Sequence, residues 1–446
     1  MKMRKFGVLL ASFCALMILA SCGGGNSASS GTATGNNQAN PTAPTNEKAN
    51  TPPKEPIKLL MSKYTNGMTK ADFENFYKPF LDKKLSGISV EFINDDGLEK
   101  QFAAGIVPDL VTAGFAQIPS VTKLDYAVDL TALAKKNNVD LSKYNQVALN
   151  GAKIYSLQGQ LNAIPHKIST FGLFYNKDLF DKFGAAYPKD DMTWEEATEI
   201  AKKVSRSDGS IRYSGLQYSN NIAVFSRGVG LTLVDPKTNK AAFNNDKALK
   251  VLSVLHGIYT VPGNEWQAKI LDRFLAGEVA MIPWWVQDTF IAIHAGKAKD
   301  SLNWDLASYP HFQGYNGIIE PSMETFLISK KSAHQDEAMQ VIKFLTTDQE
   351  VQSLVATNGN IPVVDVPNVT QVFGSNFPEV KGKHVEGVLK SKFLENHIPS
   401  LYDDVATAAY NKYTQQYLTG ALADPNTALM KAEEEANSKI AEALSR

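Results

Sequence analysis

From Ile57 onward, short buried strands alternate with amphipathic helices, and this alternation restricts the fold more than any other feature of the 446 residues. Ile57-Lys58-Leu59-Leu60-Met61 reads as a buried strand, and residues 87–93 alternate apolar and polar positions like a second. Between them Phe73, Phe76, Tyr77, Phe80 and Leu81 recur at helical spacing, with Pro79 expected to kink or shorten the helix. A helix over 98–104, a strand at Pro108-Asp109-Leu110-Val111-Thr112 and a helix-prone stretch from Ile118 complete a β-α-β-α-β order. Such order predicts an α/β fold with a parallel sheet covered on both faces and ligand bound beyond the C-terminal ends of its strands. The loops that matter are then Ser62-Lys63-Tyr64, residues 94–99 and Ala113-Gly114-Phe115.

A second unit opens after Ala163-Ile164-Pro165. A short helix after Asn176 is stopped by Gly184, and Thr193-Trp194-Glu195-Glu196 has the form of a capping box, with Trp194, Ala197, Ile200, Ala201 and Val204 as the buried stripe. Helices are expected over 246–259 and 267–276, the latter ending at Gly277 before the strand Glu278-Val279-Ala280-Met281-Ile282 and then Pro283-Trp284-Trp285. A strand at Thr325-Phe326-Leu327-Ile328 precedes helices over 332–346 and 348–355. Asp424-Pro425 opens a last helix with Ala428, Ala432, Ala436 and Ile440 on one face.

The N-terminus has a different character. Lys2, Arg4 and Lys5 precede an apolar run over 6–20 that is too short for a comfortable membrane span, and Leu19-Ala20-Ser21-Cys22 closes it. This resembles the signal segment of bacterial lipoproteins, which implies cleavage before Cys22 and acylation of its sulfur, as with palmitate. The expected location is the extracellular face of the cell membrane of a Gram-positive-like envelope. Residues 22–56 are mostly Gly, Ser, Ala, Thr, Asn and Pro and read as a flexible tether. Cys14, the only other cysteine, would leave with residues 1–21, so no intramolecular disulfide is expected and the fold must rest on its core. The chain has 45 basic and 46 acidic residues, and loss of Lys2, Arg4 and Lys5 leaves 42 against 46, a net charge of minus four. Such a surface argues against nucleic acid as partner. The seven histidines are scattered without a metal-binding motif, and neither a metal nor a cofactor is expected.

Four stretches carry a family resemblance. They are Ala103-Ala104-Gly105-Ile106-Val107-Pro108-Asp109-Leu110, then Leu173-Phe174-Tyr175-Asn176-Lys177-Asp178-Leu179-Phe180 running on to Thr193-Trp194-Glu195-Glu196, then Phe274-Leu275-Ala276-Gly277-Glu278-Val279-Ala280-Met281 with Pro283-Trp284, and finally Phe344-Leu345-Thr346-Thr347-Asp348-Gln349-Glu350 with Gly359-Asn360-Ile361-Pro362. In order and spacing the chain resembles the extracellular solute-binding proteins of ATP-binding-cassette importers, in their sugar-binding, maltose-binding-protein-like branch. The resemblance implies a two-lobe, type II-like periplasmic-binding-protein fold, each lobe a sheet flanked by helices, with ligand in the cleft between them. Lobe one is expected over 57–165 plus 309–328, and lobe two over 166–308 plus 329–446.

A sugar cleft needs aromatic platforms and a dense fringe of donors and acceptors. The resemblance places a stacking tryptophan at Trp284. Successive strand residues face opposite ways, so at most one of Trp284 and Trp285 should face the cleft, the other role being core packing. Lys63 and Tyr64 fall where relatives place polar sugar contacts. Glu99 matches an acceptor position that Asp95 or Asp96 would serve equally. Ala113 stands where relatives carry a tryptophan, leaving Phe115 as the substitute platform, and Ser169 replaces a ligand-contacting glutamate. Asn220, Asn221, Glu324 and Tyr402 complete the candidate set, and His166 and Lys167 read as hinge neighbours. The implied function is a monomeric, lipid-anchored receptor that captures a mono- or oligosaccharide by hinge closure and delivers it to the transmembrane subunits of a permease. Alternatives are a peptide, polyamine or metal-chelate receptor, a sensory partner of a membrane kinase, and a glycan-active enzyme using carboxylates such as Glu99 and Glu324.

Overall fold

The strands are, in chain order, β1 (Ile57–Lys63), β2 (Ile88–Phe92), β3 (Leu110–Gly114), β4 (Ile164–Ser169), β5 (Phe171–Asn176), β6 (Arg206–Asp208), β7 (Ile211–Leu216), β8 (Val234–Asp235), β9 (Lys240–Ala241), β10 (Val279–Trp285), β11 (Trp304–Ser308), β12 (Ser322–Ile328) and β13 (Ile361–Pro362). This is a computed structural model, and it describes residues 56–93, 97–219 and 221–445. The expected signal segment, most of the tether, Cys22, Asp95 and Asn220 lie outside the described residues.

Two sheets divide the strands. One runs β13-β4-β12-β3-β1-β2 and the other β11-β5-β10-β7-β6. In the first, β1 pairs in parallel with β2 and β3, as the β-α-β-α-β order predicts. It is nevertheless a mixed sheet, because β12 enters antiparallel between β3 and β4. Leu110, Val111 and Ala113 on β3 and every residue of β5 are buried, so both strands are covered on both faces.

Each sheet has its own core. Leu59, Met61, Phe73, Phe92, Leu110, Ile118, Leu149 and Ile164 build the first, joined by Met323, Phe326, Ile342, Leu345 and Val351. The second gathers Phe171, Trp194, Leu216, Phe225, Leu252, Tyr309, Phe312 and Tyr410. A third cluster, around Phe174, Phe274, Ile282 and Phe290, covers the other face of the second sheet. These cores move the expected lobe boundaries. Residues 309–319 pack in the second core rather than the first, while helices Gln335–Thr347 and Gln349–Thr357 pack in the first. Hydrophobic periodicity identified those helices but carries no information about which sheet their apolar faces meet. The chain therefore crosses between cores at Thr170, at Glu320–Ser322 and after Val363.

Local chemistry sets the element ends. Thr193 and Glu196 form the reciprocal capping box, and Gly184 closes helix Lys177–Phe183 at φ 67°. Helix Asp246–Tyr259 has the expected bounds. Pro79 leaves its mark as a π turn over Phe73–Tyr77, immediately before helix Lys78–Lys84. β10 does not end at Pro283 but continues to Trp285, paired with β5 throughout. Its pairing with β7 runs to Met281, whose carbonyl accepts from Gln217 N at 3.1 Å. The next bond of a parallel ladder would require an N–H at Pro283, so that edge is released where the strand reaches the cleft.

Candidate functional site

A cavity of about 470 Å³ lies where the two sheets meet. Its first wall comes from the C-terminal ends of β1 and β3, through Lys63, Asn66 and Gly67 after one and Gly114, Phe115 and Gln117 after the other. Gly67 is required by close approach, since a Cβ there would stand 2.3 Å from the Thr112 carbonyl oxygen. The floor is the crossing region, with Lys167, Ser169 and Thr170 on one segment, Ser322, Met323 and Glu324 on another, and Asn360 beside β13. Opposite stand Trp285, Gln287 and Asp288, where β10 passes into helix Val286–His294.

Trp285 lies against Phe171, ring centroids 3.8 Å apart and planes at 31°, which fixes one indole face as a wall of the cavity. Phe115 stands in the first core with Tyr155 across its edge at 4.7 Å, and the Arg227 guanidinium of the other lobe lies 5.7 Å from its ring centre. Thus each lobe contributes an aromatic. The polar groups are partly engaged: Ser169 Oγ donates to Asn360 Oδ1 at 3.3 Å, and Asn66 Nδ2 to Gln117 Oε1 at 3.5 Å.

Charge is balanced. Lys167 Nζ lies 3.3 Å from Glu324 Oε2, and buried His166 Nδ1 lies 3.3 Å from Glu324 Oε1. Burial lowers the His166 pKa and keeps the ring neutral. Burial alone would raise Glu324, but the Lys167 ammonium more than offsets this and holds its pKa below the usual value. Asp288 is raised by its reduced hydration, with Lys167 opposing. The lining thus carries Lys63 and Lys167 against Glu324 and Asp288.

Lys63, Phe115, Ser169, Trp285 and Glu324 of the expected set meet on this cavity. Trp284 lines a neighbouring hollow with Trp266 and Ser219. Tyr64 Oη donates to Glu99 Oε1 at 3.1 Å, away from the cavity lining, and its pKa is raised by burial and by that carboxylate. Asn221 caps helix Ile222–Ser226 through Val224 N at 3.4 Å, and Tyr402 packs against the second core. Sequence reasoning passed over Asp288, Gln287, Asn360 and Lys167 as contacts. Asn360 and Lys167 were visible in motifs, whereas Asp288 and Gln287 acquire meaning only once the helix after Trp285 is known to start at the cleft.

A second recess lies between the lobes beside Ala116, Ser120 and Tyr155 of the first and Arg227, Leu233 and Asp404 of the second. At its edge His397 Nδ1 meets buried Glu320 Oε2 at 2.8 Å, and its Nε2 lies 3.6 Å from Asp403 Oδ2.

Residues 78–369 match the family described as bacterial extracellular solute-binding protein. The sn-glycerol-3-phosphate-binding periplasmic protein UgpB of Rhizobium meliloti (strain 1021) is 25% identical over 315 residues, which is 64% of this chain and 70% of that protein. An ABC substrate-binding protein of Listeria monocytogenes, solved with cycloalternan, superposes at TM-score 0.68 with 19% identity, covering 87% of this chain and 100% of its own. The sugar-binding protein MalE of Xanthomonas citri gives TM-score 0.68 at 18% identity, over 86% and 98%. These likenesses show a two-lobe fold shared with solute-binding proteins. Among the described residues no helix is long and apolar enough to cross a membrane.

Proposed function

Since the chain belongs to the bacterial extracellular solute-binding protein family, we propose that it captures a neutral carbohydrate in the inter-lobe cavity and hands it to an ABC permease. One observation carries this: aromatics from opposite lobes, Phe115 and Trp285, share a cavity with a charge-balanced fringe of hydroxyls, amides and ion-paired side chains. Sugars offer C–H faces to such rings and hydroxyls to such a fringe. A ligand that touches both lobes binds the closed arrangement more tightly than the open one, which is the free energy for hinge closure about the crossings. No bond is made or broken. The lipobox-like Leu19-Ala20-Ser21-Cys22 supports tethering of a monomer at the outer membrane face, which raises the receptor's concentration near its permease without altering intrinsic affinity. Cys22→Ala is expected to release the protein into the medium with unchanged ligand affinity, read by fractionation and calorimetry.

A phosphate-bearing solute is the competing reading, drawing on the Rhizobium relative's name and on Lys63 and Lys167. Against it, Glu324 stands 3.3 Å from Lys167 and Asp288 lines the same cavity. A thermal-shift screen with neutral oligosaccharides, sn-glycerol 3-phosphate and spermidine separates these, because a true ligand raises the melting temperature by mass action. Saccharide-only stabilisation is expected. Stabilisation by the phosphate or the polyamine alone would overturn the carbohydrate assignment.

A further inference from the structure

We propose that lobe two holds a second saccharide subsite, in the hollow between Trp266 and Trp284, so that the solute is an oligosaccharide long enough to occupy both the inter-lobe cavity and this hollow. It rests on the carbohydrate reading above and deepens it. The hollow measures about 290 Å³ and is walled by Trp266, Trp284, Ser219, Gln267 and Asp272.

Its position follows from the register of the second sheet. Trp284 and Trp285 are consecutive on β10, their Cα atoms ~3.8 Å apart, and their side chains leave on opposite faces. Trp285 goes to the cavity and Phe171, whereas Trp284 packs beside the third core cluster and faces the hollow. β7 lies parallel to β10 with Leu216 opposite Met281. Ser219 and Trp284 each follow that pair by three positions, so they stand at the same end of the sheet that delivers Gln287 and Asp288 to the cavity. A chain of sugar rings passing over the end of β10 therefore meets one indole on each side of the strand.

The placement of Trp266 indicates a built surface. It belongs to the irregular connection between helices Asp246–Tyr259 and Ile270–Leu275, and two fully buried amides pin that connection to the end of β7. Asn264 Nδ2 donates to the Leu216 and Ile258 carbonyls at 2.7 and 2.9 Å, while its Oδ1 accepts from Leu216 N at 3.0 Å. Gln217 Nε2 donates to the Asn264 and Glu265 carbonyls at 3.0 and 3.1 Å, and its Oε1 accepts from Gln267 N at 3.2 Å. The connection closes at Lys269, a non-glycine residue at φ 54°, a conformation held in place by its surroundings. The result is a half-buried indole in fixed orientation beside a second one, with Ser219, Gln267 and Asp272 at the rim. Rigid aromatic faces edged by hydroxyl, amide and carboxylate groups suit the apolar face and hydroxyl edge of a sugar ring.

The test is calorimetric titration of the folded wild-type protein, Trp266→Ala and Trp266→Phe with gluco- and manno-oligosaccharides of one to seven units. Wild-type affinity is expected to rise with length. Trp266→Ala should remove about tenfold of that gain for the longer chains and leave the shortest bound saccharide unaffected, with Trp266→Phe close to wild type. Ser219→Trp, which fills the hollow while keeping Trp266, should cause the same length-selective loss. An unchanged length dependence in Trp266→Ala, or an equal loss at every length with the melting temperature intact, would overturn the subsite while leaving the cavity reading standing. If no saccharide of either series binds the wild-type protein, the carbohydrate reading fails and the subsite with it.

Discussion

Trp284 and Trp285 have the same side chain and adjacent positions, yet the pleat of β10 sends them to different recesses. Family resemblance singled out Trp284 after its proline; strand alternation limited the cavity to one of the pair; only the pairing of Trp285 with Phe171 selects which. Because Trp285 is half-buried and already braced by Phe171, it can stack on a ligand without paying for its own immobilisation. Trp285→Ala is therefore expected to lower saccharide affinity by about 30-fold, close to 2 kcal/mol, with a shift of only a few degrees in melting temperature. Calorimetry and thermal denaturation on the same sample check this. An affinity within about twofold of wild type would place the main stacking surface elsewhere.

At the scale of elements, the loop after β1 shows how closely the cavity wall is fitted. Residues 64–67 fold back so that Gly114 N donates to Thr65 O at 3.2 Å and Tyr64 N to Thr112 O at 2.8 Å, and any Cβ on Gly67 meets backbone. Gly67→Ala must displace this loop, and with it Asn66 and Lys63. A loss of about 1–3 kcal/mol in urea unfolding is expected, together with weaker ligand binding. Thr193→Ala, by contrast, removes one side of a capping box remote from the cavity and should cost about 1 kcal/mol of stability with no change in affinity. The contrast also explains which parts of the fold were legible in the sequence. Helix Asp246–Tyr259, the Thr193 box and the Gly184 stop depend on residues within a turn of each other, so their signals are local. The assignment of Gln335–Thr347 to the first core depends on β4 and β12, far away along the chain, and no period encodes it. β10 was misjudged at Pro283 for the same reason: a proline ends a strand only if its missing N–H is needed, and that depended on where β7 stops.

At the scale of the whole molecule, the lobes also meet through a buried charge cluster. Phe393 packs against both main cores, and Asn396 is so close to helix Gln146–Tyr155 that a Cβ on Gly151 would stand 2.2 Å from its Oδ1. The next residue, His397, presents its ring to Tyr155 of the first lobe, edge-on at 5.7 Å, while Glu320 of a crossing segment and Asp403 of helix Asp403–Leu418 hold its two nitrogens. Burial would lower the His397 pKa and the nearby Arg227 opposes the charge as well. The two carboxylates outweigh both and push it up to about 9. A folded-state pKa above the unfolded value near 6.5 means that the imidazolium's stabilising contribution, of up to about 3 kcal/mol, is fully present below pH ~6.5 and is lost as pH rises through 9. The melting temperature of the wild-type protein is therefore expected to fall between pH 7.5 and about 10. His397→Gln, which cannot be protonated, should melt lower at pH 7 and lose most of the alkaline slope. Parallel melts of the two proteins across that range decide it, since lysines and tyrosines that titrate there are common to both and only the His397 contribution differs. An alkaline slope that persists undiminished in His397→Gln would show that the carboxylates of Glu320 and Asp403 do not hold a charged imidazole at the meeting point of the lobes.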